Sequence, residues 1–451
     1  MIVMKFGGTS VESAAAIQRV AQIVKARLSR KPVVVVSAMG KTTNKLLEIA
    51  RTATAGNRDQ ALGLLYKLRD FHLAESGMER TVEEHFQELS ELVKGLAILG
   101  ELTPRSIDAV SSFGERLSSL IVTRYFQLAG LPAVHLDARK VIVTDKRHSQ
   151  AAPLYAETYA RLSEAIPALA ANSVVVMGGF IGSTEDGVTS TLGRGGSDFT
   201  AAIAGAGIGA EEIQIWTDVD GMLTCDPTVF AGGHRIKHIS FAEAAELAYF
   251  GAKVLHPATV LPAIERNIPV LILNSRRPDV PGTRITAEAV STANIVKSIA
   301  CKKNVVVLNV HSTRMFMAHG FPRRIFEVFD RFETPVDMIS TSEVSVSLTI
   351  DDLAHLEEIA AELKEFAEVT VDRDQSIVCL VGENMRNTKG LGARIFGALA
   401  NVNIRMVSQG ASSLNLGLLV AAEDLGEAVR ALHEEFFHDL DPEVFARGAN
   451  G

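Results

Sequence analysis

Apolar residues follow two rhythms along this chain. One consists of short unbroken runs: the start of "MIVMKFGGTS", "VVVVSAMG" after Pro32, "SVVVMGGF" from Ser173, "EIQIWTD" from Glu212 and "VLILNS" from Val270. Runs of this length suit strands buried on both faces, as in a parallel sheet covered by helices. The other has helical spacing. Ile17, Val20, Ile23, Val24 and Leu28 predict a helix from Ser13 to Leu28. Another helical stretch begins near Asn44, and two or three more fill the region to Leu128, where Gly130 and Pro132 mark a break. "AVHLDA" and "VIVTD" are further strand candidates. Strands alternating with helices predict an α/β sandwich with a largely parallel sheet.

The pattern changes after "RRPDVPGTRI", which ends a first domain, residues 1–290. Residues 291–451 contain an internal repeat: strand, Gly-bearing loop, helix, strand, turn, strand. Its two helices carry Arg324-Ile325-Phe326 and Arg394-Ile395-Phe396. Two similar small α/β modules follow, whose loops and helix N-termini suit a small anionic or zwitterionic ligand.

Composition changes this picture only by exclusion. The chain has 451 residues, 47% hydrophobic and 22% charged, with a net charge of -8. That balance is ordinary for a globular protein and argues against wholesale binding of nucleic acid or an anionic membrane. No apolar run is long enough to span a bilayer. The N-terminus carries no secretory pattern. Cys225, Cys301 and Cys379 are far apart, which speaks against a disulfide framework or structural zinc and for a reducing, cytoplasmic setting.

The candidate chemistry sits where strands end. "KFGGTS", "SAMGKTTN", "MGGFIG" and "TDVDG" each follow an apolar run. Ligands of open α/β sheets bind beyond the carboxyl ends of strands, where glycine lets backbone N–H groups approach an oxyanion. Lys5 closes a buried strand, where its ammonium is costly without an anion: it snorkels to solvent, pairs with a local carboxylate, or meets a phosphoryl group beside the N–H groups of Gly7 and Gly8. "SAMGKTT" is not a Walker A loop, because Val35 stands where the first glycine is required. In "TLGRGGSD", Ser197 or Asp198 would serve as a simple N-cap, but Arg194 among three glycines suits bidentate capture of a carboxylate. Glu115 in "FGER" reads either as a solvated helix carboxylate or as the acceptor of a substrate ammonium. His256 reads as structural, and Lys253 could reach a nucleotide phosphate.

Together "KFGGTSV", "GGFIG", "TSTLGRGGSD", "WTDVDG" and "GAKVLHPAT" resemble, in order and over nearly the whole chain, the aspartate kinases of the amino-acid kinase family. The resemblance implies a three-layer αβα sandwich followed by two ferredoxin-like ACT domains. One would span about residues 305–372; the other would combine about 293–304 with 373–451. It implies transfer of the γ-phosphoryl of ATP, brought with Mg²⁺, to L-aspartate. Lys5 would stabilise the transferring group and Asp198 would orient Lys5. Gly7, Gly8, Thr9 and Ser10 would line the phosphate and substrate site. Thr43, Glu115, Arg194, Gly195 and Ser197 would hold aspartate, with Glu115 on its ammonium and Arg194 on its α-carboxylate. Thr217, Asp218 and Lys253 would contact the nucleotide.

The regulatory half resembles lysine-sensitive members, which would place Met315, Gly320, Phe321, Val336, Asp337, Ser342 and Glu343 around bound lysine, with threonine as second choice. ACT pairing implies a homodimer or a dimer of dimers. Two positions depart from many lysine-sensitive relatives, Leu223 for a tyrosine and Thr228 for an arginine, both on the nucleotide side. Other readings are a kinase for glutamate or acetylglutamate, or an amino-acid sensor with an inactive kinase domain.

Overall fold

The computed structural model describes residues 1–251, 257–312 and 320–447. It divides into two compact units, Met1–Met222 with Leu255–Glu288, and Leu223–Val254 with Ala289–Gly451.

The first unit is built on a sheet with the strand order Thr283–Thr286, Val270–Asn274, Glu212–Thr217, Ile2–Phe6, Pro32–Val36, Val174–Gly178, Ala133–Leu136. All neighbours are parallel except the first pair. Ile2–Phe6 is central and buried along its length, which accounts for the apolar run. The period of two then separates its side chains. Ile2, Met4 and Phe6 join a core with Ile17, Leu46, Phe113, Leu117 and Ile121 from the helices of one layer. Val3 and Lys5 face the other side, against the helix Gly196–Ile208.

The first helix runs Ala14–Lys25, with the Ser13 hydroxyl accepting the Ala16 N–H. Five helices, not three or four, fill the span to Leu128: Thr42–Thr54, Arg58–Ser76, Glu79–Leu99, Pro104–Ser111 and Phe113–Leu128. Short turns at Gly56, Gly77 and Gly100, all at positive φ, divide what reads as longer helical stretches. The "VIVTD" strand shrinks to Val143–Thr144.

The second unit carries an antiparallel sheet ordered Ile339–Thr341, Ser345–Ile350, Ser298–His311, Glu368–Val381, Asn415–Ala421, Met406–Gln409. The two middle strands are 14 residues each and serve both repeats. Register shifts between Lys302 and Val307 mark the joint. On one side Val306–His311 pairs with Ser345–Ile350; on the other Ser298–Lys302 pairs with Ile377–Val381.

The second unit resumes at Ala289, beside the expected division at 290, and also takes in an earlier stretch. The described residues 223–251 pack with the second, because their polar side chains are matched there. Lys297 and Glu243, both wholly buried, form an ion pair at 3.0 Å. Glu246 accepts hydrogen bonds from Ser412 Oγ at 2.7 Å and Asn415 Nδ2 at 2.6 Å. Among the described residues no helix is long and apolar enough to cross a membrane. The three cysteines are buried and free.

Candidate active site

Within the first unit, the carboxyl ends of Ile2–Phe6 and Pro32–Val36 open onto a cavity of about 300 Å³. Seven residues picked from separate motifs line it: Lys5, Gly8, Thr43, Glu115, Gly195, Ser197 and Asp198. Lys5 Nζ stands 2.7 Å from Asp198 Oδ1, and both side chains keep a small exposed fraction, 11% and 17%, toward the cavity. The pair therefore borders the cavity rather than the outer surface. Asp198 lies in the first turn of Gly196–Ile208, whose N-cap is Gly195 with no side-chain cap. Neither Ser197 nor Asp198 is a capping residue, which removes the simpler reading of that motif.

Glu115 lies in the first turn of Phe113–Leu128 but is buried, not solvated. One carboxylate oxygen accepts the Ala38 N–H at 3.1 Å; the other is buried with no partner among the described residues. Burial pushes this carboxyl up to about 8, against a smaller opposing pull from the Ala38 N–H and Lys5. An acid with an empty acceptor site at a cavity wall is suited to a ligand cation.

Arg194 is exposed at the tip of the turn between Gly193 and Gly195. Its guanidinium pairs with no carboxylate among the described residues, in contrast to most arginines of this unit.

The glycine pair of "KFGGTS" works differently from the expectation. The Gly7 N–H donates to Trp216 O at 3.1 Å, so it is not free for a phosphate. Gly8 is required by close approach: a Cβ there would lie 2.8 Å from Gly40 O and 3.0 Å from Ala38 O. The loop thus packs on "SAMG", which delivers Ser37, Ala38 and Gly40 to the cavity although it is no Walker loop. Thr9 is exposed. Ser10 is buried, its hydroxyl 2.8 Å from Ser275 Oγ. Ser275 in turn donates N–H and hydroxyl to Thr217 O, at 2.8 and 3.1 Å. Thr217 ends its strand beside exposed Asp218. Lys253 lies outside the described residues, as does Met315.

Residues 1–274 match the amino acid kinase family and residues 378–436 an ACT domain. The chain is 39% identical over 464 residues to the chloroplastic aspartokinase 2 of Arabidopsis thaliana, covering 98% of this chain and 85% of that one. It is 37% identical over 449 residues to the lysine-sensitive aspartokinase 3 of Escherichia coli, covering 97% and 99%. The crystal structure of E. coli aspartokinase III with lysine and aspartate superposes with a TM-score of 0.84 at 35% identity, over 97% of this chain and all of that one. The same enzyme with aspartate and ADP gives 0.82 at 36%, with the same coverage. This chain belongs to the aspartokinases of the amino acid kinase family.

In the second unit of this aspartokinase the effector candidates are only partly gathered. Gly320 precedes the helix Phe321–Arg331, and the Phe321 ring is buried in the module's core with Ile325, Val328 and Leu348, Val336 packing against it. Asp337 is already engaged: its Oδ1 accepts Lys302 Nζ at 2.7 Å, and Lys302 also stands 3.1 Å from Asp351 Oδ2. Burial, partly offset by Lys302, holds Asp337 above the usual carboxylate range. Ser342 and Glu343 are exposed in the turn before Ser345–Ile350. Thr228 donates its N–H and hydroxyl to Asp226 Oδ1, both at 2.8 Å, and accepts Lys303 Nζ at 3.1 Å. The Leu223 carbonyl accepts Ser298 Oγ at 2.8 Å.

Sequence reasoning marked "SAMGKTTN" and "MGGFIG" but did not single out their Ser37, Ala38, Gly40 and Phe180 as cavity wall, and it missed Ser275, which joins Ser10 to Thr217. Phe180 carries a signal of a kind: it holds φ +65 without being glycine, a strain that accompanies functional sites but is invisible in the residue type.

Proposed function

We propose that the 300 Å³ cavity is the aspartate and γ-phosphoryl site of an ATP-dependent aspartate kinase. The observation that carries this is the convergence of Lys5, Glu115 and Asp198 on one cavity beside the arginine-bearing turn. The β-carboxylate of aspartate attacks the γ-phosphorus. A carboxylate O–P bond forms and the bond to the ADP oxygen breaks, giving 4-phospho-L-aspartate and ADP. The nucleophile is already an anion, so no base is needed; two anions must be aligned and their charge offset.

Lys5, fixed by Asp198, supplies that positive charge. Glu115 takes the substrate ammonium on its unpartnered oxygen, and Arg194 takes the α-carboxylate. Thr43 and Ser197 complete the aspartate side. Gly8, Thr9 and Ser10 border the phosphates, and Thr217, Asp218 and Lys253 the nucleotide. ATP enters as its magnesium complex, the ion held by phosphate oxygens and water.

The product opens the synthesis of lysine, threonine and methionine, and lysine is the effector, bound in the module around Asp337. The similarity to the lysine-sensitive E. coli enzyme supports this choice. The chain works in the cytoplasm as a homodimer or dimer of dimers. Hydroxylamine trapping tests the reading: aspartyl hydroxamate should form only with both ATP and aspartate, and decline as lysine rises. Folded protein that makes no hydroxamate would leave an amino-acid sensor. Hydroxamate untouched by lysine would move the effector to threonine.

A further inference from the structure

Asp108 lies on the helix Pro104–Ser111 and is completely buried. It lines no part of the cavity, yet its carboxylate is saturated by donors from two distant segments. His148 Nδ1–H donates to Oδ2 at 2.7 Å. The Ser149 N–H reaches both oxygens, at 3.0 and 3.1 Å. The Thr191 hydroxyl donates to Oδ1. A buried carboxylate this well served is costly to disturb and geometrically strict.

The segments it joins are the two that shape the arginine-bearing turn. Thr191 ends the strand Thr189–Thr191, three residues before Arg194. Its carbonyl also accepts the Ala151 N–H at 2.9 Å. Ser149 holds φ +69, unfavourable for serine, while its N–H stays on Asp108. That conformation aims the Ser149 carbonyl at Gly193, where a Cβ would meet it at 3.1 Å. The backbone from Ser149 to Ala151 is therefore the floor of the turn. Gly193 and Gly195 sit at φ +76 and +71 on either side of Arg194. Two glycines leave such a turn loose unless its floor and its entry strand are both fixed. Asp108 fixes both.

We propose that Asp108 is a positioning residue for aspartate recognition, acting through Thr191 and Ser149 to hold the turn that presents Arg194. This rests on the reading of Arg194 as the carboxylate-binding group. Without the clamp the guanidinium is still present but samples many positions, so aspartate binds less well while ATP binding is untouched.

Steady-state kinetics of the full chain test this with Asp108→Asn, Thr191→Val, Thr191→Ser and Arg194→Ala. Asp108→Asn and Thr191→Val should raise the KM for aspartate about tenfold or more and leave the KM for ATP within about twofold. Thr191→Ser keeps the hydroxyl and should restore the parent value. In an Arg194→Ala background, Thr191→Val should add no further increase, because the group it positions is gone. If Arg194→Ala raises the KM for aspartate but Thr191→Val lowers only melting temperature and active fraction, or its effect simply adds to that of Arg194→Ala, the positioning role is overturned. If Arg194→Ala itself leaves that KM unchanged, the reading of the turn fails instead. Should Asp108→Asn not fold, the Thr191 pair decides.

Discussion

Lys5 Nζ and Asp198 Oδ1 are 2.7 Å apart, one at the end of the central strand and the other in the first turn of the helix lying on it. Strand and helix thus hold each other's charge at the same cavity wall. The pair is not simply a structural bridge, since both side chains retain access to the cavity. Lys5→Met preserves length and packing while removing the charge proposed to meet the phosphoryl group. Turnover should fall about 10²–10³-fold, the usual loss when one preorganised electrostatic contact to a transition state is deleted. The melting temperature should move by only a few degrees. Hydroxamate trapping beside a thermal melt checks both; near-normal turnover would remove Lys5 from the mechanism.

Ser275 joins the loop after the first strand to the end of Glu212–Thr217. Its hydroxyl is 2.8 Å from Ser10 Oγ and 3.1 Å from Thr217 O. Ser275→Ala leaves the Ser275 N–H on Thr217 but takes away the 2.8 Å partner of the Ser10 hydroxyl, which keeps its longer bond to Trp216 O at 3.4 Å. If these two strand ends border the nucleotide, the KM for ATP should rise about three- to tenfold with the KM for aspartate unchanged, the loss of one neutral hydrogen bond at about 1 kcal/mol. A change confined to the aspartate KM would place the two strand ends on the other substrate.

These examples show what the sequence could and could not disclose. Lys5 was legible because a lysine inside an apolar run contradicts its surroundings, and Arg194 because three glycines around an arginine serve no helix. Glu115 reads locally either as a solvated helical acid or as the acceptor of an ammonium, and nothing in the motif itself chooses between them. Its burial follows from helix packing that places it against Ala38. Ser275 and Asp108 gave no local sign, since their partners lie far away in sequence, Ser10 for one and Thr191 for the other. The parallel sheet was legible in its buried runs, but the placement of 223–251 was not. It depends on Glu243 meeting Lys297 and Glu246 meeting Ser412 and Asn415, pairings without a periodicity to read.

Lys302 occupies a carboxylate, Asp337, that the effector reading gives to the amine of lysine. An internal ammonium at 2.7 Å competes with an incoming one. Lys302→Met should therefore let lysine inhibit at about tenfold lower concentration, whereas Asp337→Asn should weaken inhibition about tenfold or more, each about 1.4 kcal/mol. Uninhibited turnover should stay the same in both. Inhibition curves on the two variants decide it; identical curves would take Asp337 out of the effector site.

Glu115 ties substrate binding and stability to pH in opposite directions. Its carboxyl is raised from an ordinary 4.5 to about 8 by burial. Between those values the folded protein holds a proton that the unfolded chain has released. Stability therefore falls as pH rises from about 4.5 to 8. Glu115→Gln cannot ionise and should escape this loss, melting a few degrees above the parent at pH 8 and level with it near pH 4.5. If Glu115 takes the aspartate ammonium on its free oxygen, as proposed, aspartate favours the charged form and binding expels the proton. Apparent affinity should rise up to about tenfold per pH unit from pH 6 to 8. Calorimetry at pH 7 in two buffers of different ionisation enthalpy should register net proton release on aspartate binding. Glu115→Gln should release none and bind aspartate more weakly. A parent protein that binds aspartate with no proton release would mean that Glu115 is already ionised or does not meet the ammonium, and a pH-independent aspartate KM in the same window would say the same.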